Sequence, residues 1–191
     1  MSHGPIDVDV IAVGRVLDEG RGSLPYALVH GEALVAAATW ALTQAQVLPL
    51  DPRTSTEGVL DAELPLVLHD ALCPMTPPEF IAACVRRAVE ADVVVAGTRP
   101  VTDTVKVLHD GLVGETLDRE ALARVVSPVV VPVGVVETVA ALLAEPGPNL
   151  AGLVEALRAV TTVELLEAPV EAMRVSGPED LRVLEALSRP S

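Results

Sequence analysis

Two kinds of hydrophobic run alternate between residues 64 and 97, and this alternation constrains the fold more than any other feature. Residues 64–68, LPLVL, are a short, nearly unbroken apolar run. Residues 78–90 repeat their apolar positions at helical spacing, with Cys84 on the apolar side. Residues 92–97 return to an unbroken run, DVVVAG. Short continuous runs bounded by turns mark strands buried on both faces, and such strands need helices above and below them. The pattern predicts an α/β sheet with helices on both sides.

The rest of the chain extends this reading. Further strands are expected at 8–13, 127–133 and 162–167, with a short extended piece at 26–29. Helices are expected at 32–46, 135–144, 150–160 and 177–188. Pro178 sits at the first turn of the last helix, and Glu179 and Asp180 face its positive end. Segments 101–107 and 111–117, joined through Asp110-Gly111, read as a hairpin, because Asp-Gly favours the tight turn. Residues 49–58 read as a loop, and 47–63 as a turn-rich connection too short for a full crossover. A length of 191 residues fits one domain, 1–191.

Composition narrows the functional classes. Half the residues are hydrophobic, yet Tyr26, Trp40 and Phe80 are the only aromatics, so the core is aliphatic. Stacking platforms for single-stranded nucleic acid are missing. The formal net charge of −14 repels nucleic acid and anionic membranes. Lys106 is the only lysine, which fits a genome that favours arginine. Cys73 and Cys84 have no zinc spacing. No apolar run is long enough for a bilayer span, and a soluble cytoplasmic protein is expected.

Four motifs then occur in a telling order: Leu-His-Asp-Ala-Leu-Cys-Pro at 68–74, Pro-Val-Thr-Asp-Thr-Val-Lys at 100–106, Thr-Leu-Asp-Arg at 116–119, and Arg-Val-Ser-Gly-Pro-Glu-Asp-Leu at 174–181. In that order they resemble the 2-C-methyl-D-erythritol 4-phosphate cytidylyltransferase family of isoprenoid biosynthesis. The family motifs read His-Asp-Ala-Ala-Arg-Pro, Asp-Thr-x-Lys, Thr-x-Asp-Arg and Lys-Val-Thr-x-Pro-Glu-Asp-Leu. The resemblance implies a three-layer α/β/α sandwich of the nucleotide-diphospho-sugar transferase type. The sheet would be mostly parallel, with a protruding β-hairpin arm at about 100–120. It implies transfer of a cytidylyl group from CTP to a sugar phosphate, with release of pyrophosphate, and Mg2+ as cofactor if the chain is active.

The departures from that pattern are as informative as the matches. The family's first strand leads into Ala-Ala-Gly-x-Gly-x-Arg, whose glycines and arginine approach phosphates. Here Gly14 remains, Val16 replaces the second glycine, and Asp18 stands at the arginine. Tyr26 takes the place of a transition-state lysine, and Cys73 that of the arginine in His-Asp-Ala-Ala-Arg-Pro. A Gly-Gly-x-x-Arg-x-x-Ser segment that helps hold cytidine is missing from 47–63. The family's Thr-Asp-Asp/Glu-Ala motif becomes Pro148-Asn149-Leu150-Ala151, and its Thr-Pro-Gln becomes Ser127-Pro128-Val129. Each preorganised cation lost costs roughly 10²–10³ in rate, so the catalytic positions are expected to be empty of catalytic groups. Arg15 and Arg21 lie close enough to be considered as substitutes.

What remains maps to the sugar-phosphate side. Gly14, Asp70, Thr104, Lys106, Arg119 and Arg174 are the candidate substrate-binding residues, and no metal ligands are expected. Asp103, Thr104 and Asp118 equally suit turns or caps, with Asp118 expected to cap a helix at 119–126. His69 suits a packed histidine at a strand end. The expected reading is a degenerate family member that acts through binding or dimerisation. Its partner would be itself or a related enzyme, joined through 101–117. The alternatives are an active nucleotidyltransferase with rearranged arginines and a binding module for a sugar phosphate or other anion.

Overall fold

The computed structural model describes residues 9–51, 54–101, 106–109, 112–116, 123–143 and 149–188. Its centre is a sheet of six strands: β1 (Ala12–Leu17), β4 (Val47–Pro49), β5 (Leu66–Asp70), β6 (Val94–Pro100), β9 (Ala123–Val131) and β10 (Val163–Glu167). Their order across the sheet is β10-β6-β9-β5-β1-β4. All pairings are parallel except those of β9, which runs antiparallel to both β5 and β6. This is the expected mostly parallel, three-layer α/β fold.

Strand alternation builds two separate cores. Leu66, Leu68, Val94, Ala96, Val129 and Val131 share a cluster with Leu150, Leu153, Val154 and Leu157 of α6 (Leu150–Arg158). Their neighbours Val67, Val95 and Val130 pack instead with Leu42 of α1 (Leu34–Gln44) and with Ile81, Cys84 and Val85 of α3 (Pro78–Ala91). Successive side chains point to opposite faces of a strand. Both faces of β5, β6 and β9 are therefore covered, which is why their sequences read as unbroken apolar runs. Cys84 is the small core residue its spacing suggests, fully buried.

A third cluster closes the sheet's carboxyl end. Leu72, just after β5, packs with Val29 of β2 (Leu28–Val29), Leu34, Val175 and Leu184 of α7 (Pro178–Leu187). The Val175 N–H donates to the Leu72 carbonyl at 2.7 Å. Helix α7 starts as expected, with Pro178 in its first turn, and the Asp180 carboxylate accepts from the Ser176 N–H at 2.7 Å. This C-terminal segment is thereby held against the loop that follows Asp70.

Several boundaries differ from the sequence reading. The 47–63 connection is not merely a loop. It contains β4, which adds to the sheet edge parallel to β1, and the five-residue helix α2 (Thr56–Leu60). A reduced crossover fits there because a three-residue edge strand needs little chain. Pro49, which cannot donate, sits on this edge strand, and the Leu50 N–H after it still donates to the Gly14 carbonyl at 2.7 Å. The helix expected at 119–126 is overturned at its C-terminal half. Residues 123–126 open β9 and pair with the end of β6, Pro100 against Ala123 and Arg99 against Arg124. The 135–144 helix is two pieces, α4 (Val133–Val136) and α5 (Ala140–Leu143). Clustered β-branched valines around the break disfavour one continuous helix. The expected extended piece at 26–29 is a 3-10 turn, Leu24–Tyr26, followed by β2, which pairs with β3 (Glu32–Ala33). The hairpin is present, with β7 (Lys106–His109) and β8 (Leu112–Thr116) forming their own antiparallel sheet.

Candidate functional site

The chain's chemistry gathers where β1 and β5 end side by side. Leu17 and Asp70 are register partners, and the Ala71 N–H donates to the Leu17 carbonyl at 3.0 Å. In an open α/β sheet the crevice beyond the carboxyl ends of parallel strands is the usual ligand position. The loop leaving β1 crosses this crevice. Gly20 and Gly22 adopt positive φ, 71° and 59°, and turn the chain sharply on both sides of Arg21.

Arg21 is brought onto Asp70. Its Nε donates to Asp70 Oδ1 at 2.7 Å, and a terminal guanidinium nitrogen donates to the Glu19 carbonyl. From the opposite side, Arg174 Nε donates to Asp70 Oδ2 at 3.0 Å. The Leu72 N–H adds a third bond, to Oδ1 at 3.0 Å. The Asp70 N–H donates to Ser127 Oγ at 2.6 Å, tying β5 to β9. The side chains of Arg21 and Asp70 are only 6% and 4% exposed, whereas Arg174 is 37% exposed. Burial pushes the Asp70 carboxyl up. The Arg21 and Leu72 hydrogen bonds and the charges of both arginines outweigh it and hold the carboxyl below its usual range.

The remaining sequence candidates fall in different places. Gly14 lies inside β1, and a Cβ there would sit 2.6 Å from Val47 Cγ1 and 2.9 Å from Leu42 Cδ1. Its smallness lets α1 and β4 close on β1. Val16 packs against the α1–α3 core. Asp18 accepts a long hydrogen bond, 3.4 Å, from the Tyr26 hydroxyl, and Tyr26 is 63% exposed. Arg15 turns towards the loop after β4, where its Nη2 donates to the Thr54 carbonyl at 3.1 Å. Cys73 is fully buried with Val126, Ala168, Ala172 and Phe80. Burial pushes its thiol up to about 12, with the Asp70 charge adding to the effect, so it is a neutral core thiol. Lys106 opens β7 opposite Thr116. Asp103, Thr104, Asp118 and Arg119 lie outside the described residues.

Asp70 and Arg174 stand in recognisable motifs of the sequence, whereas Arg21 stands there only as a nearby cation. The signal for its role is the Gly-Arg-Gly triplet at 20–22, since two flexible residues around one charge suit a tight inward turn. His69, beside Asp70 in β5, is fully buried, and neither ring nitrogen has a hydrogen-bond partner. Among the described residues, no group of three or more His, Cys, Asp or Glu side chains could hold a metal ion. The magnesium ion that the resemblance implies would fall to Asp70. The residues present do not fit it, because guanidinium donors already occupy both carboxylate oxygens.

Layering and strand order define an α/β sandwich of the nucleotidyltransferase type. The crystal structure of 2-C-methyl-D-erythritol 4-phosphate cytidylyltransferase from Thermus thermophilus superposes with a TM-score of 0.68 at 21% identity, covering 94% of this chain and 99% of that one. The sequence profile of the 2-C-methyl-D-erythritol 4-phosphate cytidylyltransferases matches residues 57–189, and the chain belongs to that family. The family enzyme of Frankia casuarinae is 34% identical over 136 residues, 71% of this chain and 50% of that protein. That of Lysinibacillus sphaericus is 32% identical over 127 residues, 65% of this chain and 54% of that protein. The chain spans about half the length of the curated relatives it matches. Among the described residues, no helix is long and apolar enough to cross a membrane.

Proposed function

We propose that this chain is a family member whose cleft no longer supports metal-dependent cytidylyl transfer, and that it acts in the cytoplasm through binding or association. The observation that carries this reading is the state of Asp70. Its two oxygens accept from Arg21 and Arg174, so the cleft's carboxylate and both of these cations are engaged with one another. The neighbouring positions support the same reading. Cys73 is a buried neutral thiol where the family motif has arginine, and Asp18 brings negative charge to the loop that would face a triphosphate.

The hairpin supplies the association half of the proposal. Strands β7 and β8, which lie between β6 and β9 in the chain, form a two-stranded sheet of their own. An isolated two-stranded hairpin is marginal in water and needs a surface to pack against. Residues 101–117 are the proposed contact with a second copy or a related enzyme. Lys106 and Arg174 are the proposed contacts for a sugar phosphate or another anion, with Thr104 and Arg119, which lie outside the described residues. Gly14, packed inside β1, and Asp70, a carboxylate paired with two arginines, are not among them.

One observation favours a second reading. Arg21 enters the cleft from the loop that in the family carries arginine, so it is placed to substitute for a lost cation in an active, rearranged nucleotidyltransferase. Incubation with CTP, 2-C-methyl-D-erythritol 4-phosphate and Mg2+, followed by pyrophosphate detection, separates the two. The proposed function predicts no release above the enzyme-free rate. Robust release that disappears in Arg21→Ala establishes the second reading.

A further inference from the structure

Asp70 has the surroundings of a carboxylate whose counter-ion is already built in. A carboxylate offers about four lone-pair sites. Three are taken here, by Arg21 Nε, Arg174 Nε and the Leu72 N–H, at 2.7, 3.0 and 3.0 Å. The closest of these donors is also among the least exposed, since the Arg21 side chain is 6% accessible. The positive φ of the glycines on either side turns the chain so that this side chain points inward. A magnesium ion needs carboxylate oxygen at about 2.0–2.1 Å in near-octahedral geometry. An ion at that distance from Oδ1 would collide with the Arg21 guanidinium, and one on Oδ2 would have to share that oxygen with Arg174. Among the described residues, no group of three or more His, Cys, Asp or Glu side chains could hold it.

We propose that Arg21 takes the place of a divalent cation at Asp70, so that this cleft is closed to metal and carries its positive charge covalently. The chemistry of the group fits the role. A guanidinium stays charged throughout the accessible pH range and presents its donors in a fixed plane that matches a carboxylate. A chelator cannot strip such a charge, unlike a bound ion. With two guanidiniums against one carboxylate, the triad keeps one net positive charge, and Arg174 is its solvent-facing part. Any phosphate-bearing ligand of this cleft would therefore bind without a metal, and its affinity would be indifferent to EDTA. This inference rests on the family reading of the same cleft, but its test reads metal rather than nucleotide.

The experiment is titration of the full chain with Mn2+ as probe, followed by electron paramagnetic resonance and by paramagnetic broadening of backbone amides. The wild type is expected to show no saturable site that broadens Ala71 or Leu72 at sub-millimolar Mn2+. Arg21→Ala, checked for fold by circular dichroism, is expected to gain one Mn2+ site with at least tenfold tighter binding, and Asp70→Asn added to it should abolish that site. Arg21→Gln serves as a second opening variant if the alanine protein does not fold. Selective broadening of Ala71 and Leu72 in the wild type overturns the proposal without any variant. A folded Arg21 variant that gains no Asp70-dependent site overturns it too, because something other than the arginine would then exclude metal. Turnover without a metal site would refute the proposed inactivity alone, and a metal site without turnover would refute this inference alone.

Discussion

Acid should weaken this protein through His69 before it reaches the carboxylates. The side chain is fully buried in β5, and neither ring nitrogen has a hydrogen-bond partner. Burial pushes its pKa from 6.5 to about 4, opposed only in part by the charge of Asp70. The folded value lies below the unfolded one, so the unfolded chain binds the proton more tightly. The stability tied to neutral His69 is complete above pH 6.5 and drains away as pH falls towards 4. At about 1.4 kcal/mol per pKa unit, the loss across that window is about 3 kcal/mol. Protonation of surface carboxylates works the other way, because it relieves repulsion in a chain of net charge −14. The quantity to read is therefore the difference between wild type and His69→Leu. Near neutral pH the leucine protein should be about as stable as wild type, since the substitution removes a buried donor and acceptor that pair with nothing. Urea unfolding at a series of pH values, extrapolated linearly to water, gives the comparison. By about pH 4 the variant should be the more stable by about 3 kcal/mol. Parallel stability profiles would refute the reasoning. So would a variant that loses more than about 2 kcal/mol near neutral pH, because His69 would then make an interaction worth keeping.

Other substitutions probe the frame of the site. A Cβ at Gly97 would lie 2.7 Å from the Ser127 carbonyl oxygen, a backbone atom that cannot swing aside. Gly97→Ala should cost about 1–3 kcal/mol and lower Tm by roughly 3–10 °C in a thermal melt. Asp70→Asn removes the buried carboxylate charge that both Arg21 and Arg174 face and should destabilise by about 3 kcal/mol or more in denaturant unfolding. Arg174→Ala, at a partly exposed pair, should cost under about 1 kcal/mol by the same measurement. Deleting the hairpin at 101–117 should convert a dimer to a monomer in sedimentation velocity at tens of micromolar, and a monomeric wild type would refute the proposed arm contact.

The sheet's centre was legible because β5, β6 and the middle of β9 are buried on both faces, and their composition says so directly. The edges were less so. Val47-Leu48-Pro49 is too short to show any period, and only its pairing with β1 makes it a strand. Residues 123–126 carry alanine, arginine and valine, which local preference does not decide, and the ladder with β6 does. Asp70 and Arg174 were visible as motif residues, but their bond spans 104 positions. Arg21 lies 49 positions from Asp70, and no local rule could have joined them. The pairing follows from the tertiary turn at Gly20 and Gly22 and from the parallel register that ends β1 beside β5. Cys73 was expected to weaken a binding motif, and its full burial with Phe80 and Val126 explains how the fold accommodates it.

Calorimetric titration of CTP with Mg2+ into the full chain, at physiological salt, decides whether the cleft still takes a nucleotide. Asp70 is sealed by two arginines, Cys73 is a buried thiol, and Asp18 opposes the triphosphate. Each missing charge-assisted hydrogen bond forgoes roughly 1.5–3 kcal/mol. The account predicts no saturable heat in the micromolar range, and no change when Mg2+ is replaced by EDTA. Micromolar CTP affinity that depends on Mg2+ would contradict it.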